Sequence, residues 1–149
     1  METVQGCTSA RRIGAIPFFE AGIVNDAPPA TDFSSSICLL YPNTPYYWFQ
    51  YTVGRRSVLK ATVSKQNSFT TLALFSSSTC DRQDFTCIDS ARSSSNNATV
   101  VWDAIPFESY YLVIGSVDAN ATFDFSLQIL YGVSFHHTRL FLILIRADG

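Results

Sequence analysis

The stretch Thr122-Phe123-Asp124-Phe125-Ser126-Leu127-Gln128-Ile129-Leu130 sets Phe123, Phe125, Leu127 and Ile129 against Asp124, Ser126 and Gln128. Successive strand side chains point to opposite faces, so this period of two predicts a strand with one face in a core and the other in water. Outward from it the pattern repeats. Ser57–Ser64 (SVLKATVS) puts Leu59, Ala61 and Val63 opposite Lys60 and Thr62, and Val100, Trp102 and Ala104 alternate with Val101, Asp103 and Ile105. Thr70–Phe75 reads as a strand, Ser109–Val117 (SYYLVIGSV) as a mostly apolar central strand, and Tyr46–Val53 (YYWFQYTV) as a strand dense in aromatics with both faces largely covered. No segment of useful length shows a helical period.

The punctuation fits short strands. Val53-Gly54-Arg55-Arg56-Ser57 reads as a hairpin-type connection and Ser93–Asn97 as a polar loop. Ala104–Ser109 reads as a turn around Pro106, and Asn25–Ser36, with Pro28-Pro29, as an irregular loop. Short strands separated by turn-rich stretches predict an all-β, antiparallel sandwich or barrel.

At 149 residues the chain is long enough for one domain, and 47% hydrophobic residues supply a core. Charged residues are 15%, against about 25% in an average soluble domain. A net charge of −2 offers no basic face, which argues against a nucleic-acid partner. The longest apolar run, Leu140–Ile145, is far shorter than the roughly 18 residues of a membrane-spanning helix, so no membrane span is expected. The opening METVQGCTSARR lacks the apolar core of a secretory signal.

The four cysteines Cys7, Cys38, Cys80 and Cys87 allow three pairings. The sequence-local pairing, Cys7–Cys38 with Cys80–Cys87, is the expectation. On the chain-entropy account the larger loop would stabilise by about 3.7 kcal/mol and the smaller by about 2.5 kcal/mol. Free structural thiols and a zinc site are the alternatives, and the spacings depart from the close Cys pairs that zinc sites use. Asn97-Ala98-Thr99 and Asn120-Ala121-Thr122 read as N-glycosylation acceptors, or as chance matches on exposed turns. Paired cysteines and acceptor sites both belong to an extracellular or cell-surface setting.

Catalytic chemistry is thinly provided for. The only histidines, His136 and His137, are adjacent, so on a strand they point apart and cannot share a proton or a ligand. Gly-x-Ser-x-Gly, His-Glu-x-x-His and phosphate-loop motifs are absent, and the serine tracts Ser34–Ser36, Ser76–Ser78 and Ser93–Ser95 read as loops. No catalytic residue and no metal ligand set is expected.

Two stretches are candidates for contact with a partner. In Tyr46–Tyr51 the core reading puts Tyr47, Phe49 and Tyr51 on one face and Trp48 on the other. The binding reading exposes Tyr46 and Tyr47 as flat platforms for a sugar. Asp81, Arg82, Gln83 and Asp84, between Cys80 and Cys87, form the second set, in a loop whose rigidity would lower the entropy lost on binding.

The order of motifs resembles a known family. It runs Cys7-x-x-Ala10, Ile16-Pro17-Phe18, Gly22 with Asn25-Asp26-Ala27, Cys38, Tyr47-Trp48-Phe49-Gln50-Tyr51 and Leu59-x-Ala61-Thr62. It continues with Phe69–Phe75, Cys80, Cys87, Val101-Trp102, Tyr110–Gly115 and Phe123–Leu127. From Cys7 to Leu130 this is similar to the cysteine-bearing form of the pre-peptidase C-terminal type domain of secreted and surface proteins. The resemblance implies a jelly-roll-like β-sandwich and a non-catalytic accessory, adhesion or targeting role. It carries over no catalytic residues. Calcium is possible in relatives, but where the family has an acidic residue this chain has Phe69-Thr70-Thr71, and only Asp89 is acidic in Ile88–Arg92, so no cofactor is expected.

The chain is thus expected to comprise a leader or fragment start at 1–6, a β-sandwich at 7–130 with two disulfides, and an unmatched tail at 131–149. That tail would be an edge strand or an extension beyond the domain. The expected function is a non-enzymatic extracellular binding or adhesion module that contacts a polysaccharide or a protein surface. The alternative is an accessory targeting domain of a secreted hydrolase, a peptidase, whose catalytic domain lies outside this chain; a third option is a cell-wall spacer. The register makes a direct prediction: Phe125→Ala costs about 3–5 kcal/mol, read as the shift in urea midpoint at constant slope. An unchanged midpoint would place Phe125 on the solvent face, one residue out of register.

Overall fold

The computed structural model describes residues 3–30, 33–35, 38–136 and 139–143, with side chains up to Leu130. A single helical turn, α1 (Gln5–Thr8), precedes the strands. In chain order these are β1 (Arg11–Arg12), β2 (Phe18–Asn25), β3 (Pro29–Ala30), β4 (Thr44–Thr52), β5 (Ser57–Ser64) and β6 (Thr70–Ser76). They continue as β7 (Thr86–Ser93), β8 (Ala98–Ala104), β9 (Ser109–Ser116), β10 (Ala121–His136) and β11 (Arg139–Ile143). His137 lies outside the described residues.

The strands form two sheets packed as a jelly-roll-like sandwich. The first has the order β1-β4-β9-β6-β7, with β3 also paired to β4; the second has the order β11-β10-β5-β8, with β2 also paired to β10. Every pairing is antiparallel except the two-residue β1–β4 contact. Gly132 is partnered by both Ser57 and Ile143, so β2 and β11 follow one another along the same edge of β10. The Val53–Ser57 connection is not a hairpin, as expected from sequence, but a crossover from β4 in one sheet to β5 in the other. A tight turn with two flanking apolar strands looks the same in sequence whether the strands pair side by side or face to face.

Between the sheets lies the core that the alternation predicts. Leu59, Ala61, Val63, Leu72, Leu74, Val100, Trp102, Leu112, Ile114, Phe123, Phe125 and Leu127 are buried together, and Ile129 packs against them. Phe125 stacks face to face on Phe49 across the sheets, ring centres 4.4 Å apart, and Phe18 meets Phe49 edge-on at 5.7 Å. Burial of an aromatic of this size stabilises by several kcal/mol, because neighbours cannot collapse into the space it would leave.

The first sheet is apolar on its outer face as well. Tyr46 and Trp48 on β4, Ala73 and Phe75 on β6, and Tyr111 and Val113 on β9 point away from the central core. They are covered by Val4 and Cys7 from the N-terminal segment, by Phe33, Cys38 and Leu40 from the stretch before β4, and by Phe85 from the loop after β6. Phe33 and Phe85 centre this layer: Phe33 is in ring contact with Tyr46, Trp48, Phe75 and Phe85, and Phe85 also with Trp48, Phe75 and Tyr111.

Both disulfides fasten this cover, and their pairing corrects the sequence-local expectation: Cys7 bonds Cys80, and Cys38 bonds Cys87. The Cα–Cα distances are 5.6 and 5.9 Å. Cys38–Cys87 joins a covering segment to β7 of the sheet it covers, and Cys7–Cys80 ties the N-terminal cover to the loop that leaves β6. The separations of 73 and 49 residues correspond, bridge by bridge, to roughly 4.4 and 4.1 kcal/mol of unfolded-chain entropy; because the two loops interleave, these do not add.

Two bulges decide which side chains face where. Opposite Leu74 and Phe75 stand Asp89 and Cys87, so Ile88 is an extra residue and Cys87 turns to the outer face, toward Cys38. In β2, Ile23 is opposite Phe123 and Glu20 opposite Phe125, with Gly22 at φ +65° accommodating the irregularity. Its N–H donates to the buried Asp124 carboxylate at 2.9 Å. Phe18 and Ile23, five residues apart, therefore share the core face. The edge is closed by Arg11 of β1, whose guanidinium makes a two-pronged pair with Glu20 of β2, at 2.6 and 2.5 Å.

A proteolytic digest under non-reducing conditions should yield one cross-linked peptide pair containing Cys7 and Cys80 and another containing Cys38 and Cys87. A fragment holding only the Cys80–Cys87 link would contradict the fold of the cover.

Candidate functional site

The residues singled out from sequence lie in three different places. Tyr46 does not present a flat ring to solvent, which corrects that expectation. It is 4% exposed, on the outer face of the first sheet, and its hydroxyl donates to the Tyr41 carbonyl. The ring fits because its neighbour on β9 is Gly115; a Cβ there would come within 2.8 Å of the Tyr46 ring. Tyr47 is half-buried on the core side, its ring 5.2 Å from Phe49 and 5.9 Å from Phe123, and its hydroxyl accepts from Arg11 at 3.3 Å.

Asp81, Arg82, Gln83 and Asp84 occupy a loop with a single 3-10 turn, Arg82–Asp84. Asp81 caps that turn by accepting from the Gln83 N–H at 3.0 Å. Asp84 organises the serine-rich strand end. One carboxylate oxygen accepts from the Ser78 and Thr79 N–H groups at 2.6 and 2.9 Å, and from the Ser77, Ser78 and Thr79 hydroxyls at 2.9, 3.1 and 3.1 Å. The Ser78 N–H, the Ser77 hydroxyl and the Thr79 N–H hold its carboxyl well below the usual carboxylate range. Asp81 and Asp84 thus shape the loop, while Arg82 and Gln83 are exposed on its turn. A polar cleft of about 450 Å3 lies between this loop and the Phe107–Ser109 turn.

Sequence reasoning missed an apolar concavity. A shallow groove of about 70 Å3 at one end of the first sheet is lined by Leu39, Leu40, Tyr41, Phe69, Val117 and the edge of Tyr46, with Thr44, Thr71 and Ser116 as its polar members. Tyr41 (55%), Phe69 (40%) and Val117 (69%) are exposed around it. At the rim, the Arg92 guanidinium lies 5.5 Å from the centre of the Phe69 ring, and its Nη1 donates to the Tyr41 hydroxyl at 3.4 Å. Three separate stretches meet here: the turn before β4, the start of β6 and the end of β9. The available signal was weak: an aromatic in Leu39-Leu40-Tyr41-Pro42, and Phe69 just before an apolar strand.

Asn97 and Asn120 are both exposed, on the loops before β8 and β10. Among the described residues, no three His, Cys, Asp or Glu side chains converge as a metal site, and no helix is long and apolar enough to cross a membrane.

No protein-family model matches the chain, and neither does any curated protein. Solved structures do. The fold is similar to the pre-peptidase C-terminal domain of collagenase from Bacillus anthracis, at 16% identity and a TM-score of 0.48, over 80% of this chain and 93% of that one. It is also similar to CorA, a surface-associated copper-binding protein of Methylomicrobium album BG8, at 6% identity and a TM-score of 0.55, over 80% of this chain and 97% of that one. Both are likenesses of the backbone fold.

Asp84 gives the loop a defined acid response. Its folded value lies below the ordinary value near 4, so its contribution is complete above about pH 4 and is lost as pH falls toward the lower folded value. The Ser78 and Thr79 amide resonances should hold constant from neutral pH to about 4 and move only below it. In Asp84→Asn that acid transition should vanish, and both amides should exchange faster with solvent.

Proposed function

We propose that this chain is a non-enzymatic extracellular binding module that contacts a polysaccharide or protein surface through the groove of Tyr41, Phe69 and Val117. The carrying observation is that two exposed aromatic rings and a valine, Tyr41, Phe69 and Val117, gather around one concavity. Exposed aromatic faces give large contact area at low entropic cost, and here Tyr41 is anchored through its carbonyl by buried Tyr46. Two disulfides and two exposed acceptor asparagines, Asn97 and Asn120, support an extracellular setting. The exposed turn residues Arg82 and Gln83 form a second contact set. Tyr46 and Tyr47 serve this reading as supports rather than as contacts.

The test is retention of the oxidised protein on a panel of insoluble polysaccharides and cell-wall preparations. Tyr41→Ala and Phe69→Ala should each weaken retention about tenfold or more, equivalent to roughly 1.4 kcal/mol. Phe19→Ala, 65% exposed on the other sheet, should leave it unchanged. Retention that survives both groove substitutions would overturn the assignment of the groove.

A further inference from the structure

We infer that the groove takes an acidic polysaccharide, with the carboxylate of a uronic acid residue held by Arg92; this rests on the binding reading above and names its ligand class. The guanidinium is fixed from two sides, over the Phe69 ring and against the Tyr41 hydroxyl. That leaves most of its five N–H donors for a ligand. The ion pairs among the described residues are Arg11–Glu20 and Arg56–Asp103, and neither involves Arg92. An exposed guanidinium held in place without a carboxylate partner is complementary to a planar carboxylate, which it meets through two parallel hydrogen bonds.

The rest of the groove fits the body of such a ligand. A pyranose ring offers apolar C–H faces, which suit Tyr41, Phe69, Leu39 and Val117, and hydroxyls, which suit Thr44 on the groove wall. Field effects do not explain the preference. The chain carries a net charge of −2, and exposed Asp118 follows Val117 at the groove, so a polyanion gains nothing from general attraction. Recognition must come from the one local pair, which predicts a shallow salt dependence.

The experiment uses the oxidised full chain and two matched probes, polygalacturonate and its fully methyl-esterified form, which keeps the ring and removes the charge. Dissociation constants are measured for both. The acid should bind at least about tenfold more tightly than the ester, the scale of one bidentate charge-assisted pair. Arg92→Gln should abolish that preference while binding of the ester persists, and Arg92→Lys should restore only part of it. Equal binding of acid and ester by the native chain would overturn the inference, as would a preference that survives in Arg92→Gln or tighter binding to a sulfated than to a uronate polymer. If Tyr41→Ala and Phe69→Ala still weaken binding of the ester, the module reading stands and only the uronate assignment fails. If the native chain binds neither probe nor any other matrix, both fail.

Discussion

The first sheet is apolar on both faces, and most of the architecture follows from that. Its inner face meets the second sheet in the usual way. Its outer face carries Tyr46, Trp48, Phe75, Tyr111 and Val113, which no third sheet among the described residues covers. Left in water, these side chains would form an exposed apolar patch of the kind that drives association. The chain covers them with irregular segments instead: α1 and its flanks, the stretch around Phe33 and Cys38, and the loop that carries Phe85. Such segments make few ladder hydrogen bonds, and ordering them costs about 1–2 kcal/mol per residue. The interleaved Cys7–Cys80 and Cys38–Cys87 bonds offset part of that cost by constraining the unfolded chain, and Phe33 supplies the packing.

The same constraint shapes the candidate site. The cover ends at Leu40, and Tyr41 is the first residue beyond it whose ring stands in solvent. Tyr46 links the two regimes: its ring belongs to the covered layer, and its hydroxyl holds the Tyr41 carbonyl. Gly115 is what lets that ring lie flat on β9. A groove floored by a rigid, disulfide-fastened layer keeps its exposed rings in place without a ligand, which lowers the ordering cost of binding. The Asp84 loop shows the alternative use of polar groups: its hydroxyls and amides are spent on one internal carboxylate and hold the strand end in shape.

The register of β5, β8 and β10 was legible because one face of each is core and the other is solvent, so alternation survives in the residue order. The aromatic run of β4 announced a strand covered on both sides, and the runs of β6 and β9 announced strands, although not what covers them. β2 and β7 were harder, and for one reason. A bulge inserts a residue and inverts the alternation partway, so Phe18 and Ile23, or Cys87 and its neighbours, do not keep a period of two. The groove was illegible because its exposed side chains come from positions 41, 69 and 117, which no local pattern connects.

The sequence by itself determined the all-β class, the central core, the strands at 57–64, 70–75 and 122–130, and the presence of four cysteines suited to an oxidising setting. These are properties of local periodicity and composition, which residue order carries directly. Tertiary structure decided the disulfide pairing, the burial of Tyr46, the crossover at Val53–Ser57 and the meeting of Tyr41, Phe69 and Arg92. Each depends on which faces the bulges present and on which sheet each strand joins. Cys80 and Cys87 are close in sequence, but both anchor segments that come from elsewhere in the chain, because the outer face of the first sheet has to be covered.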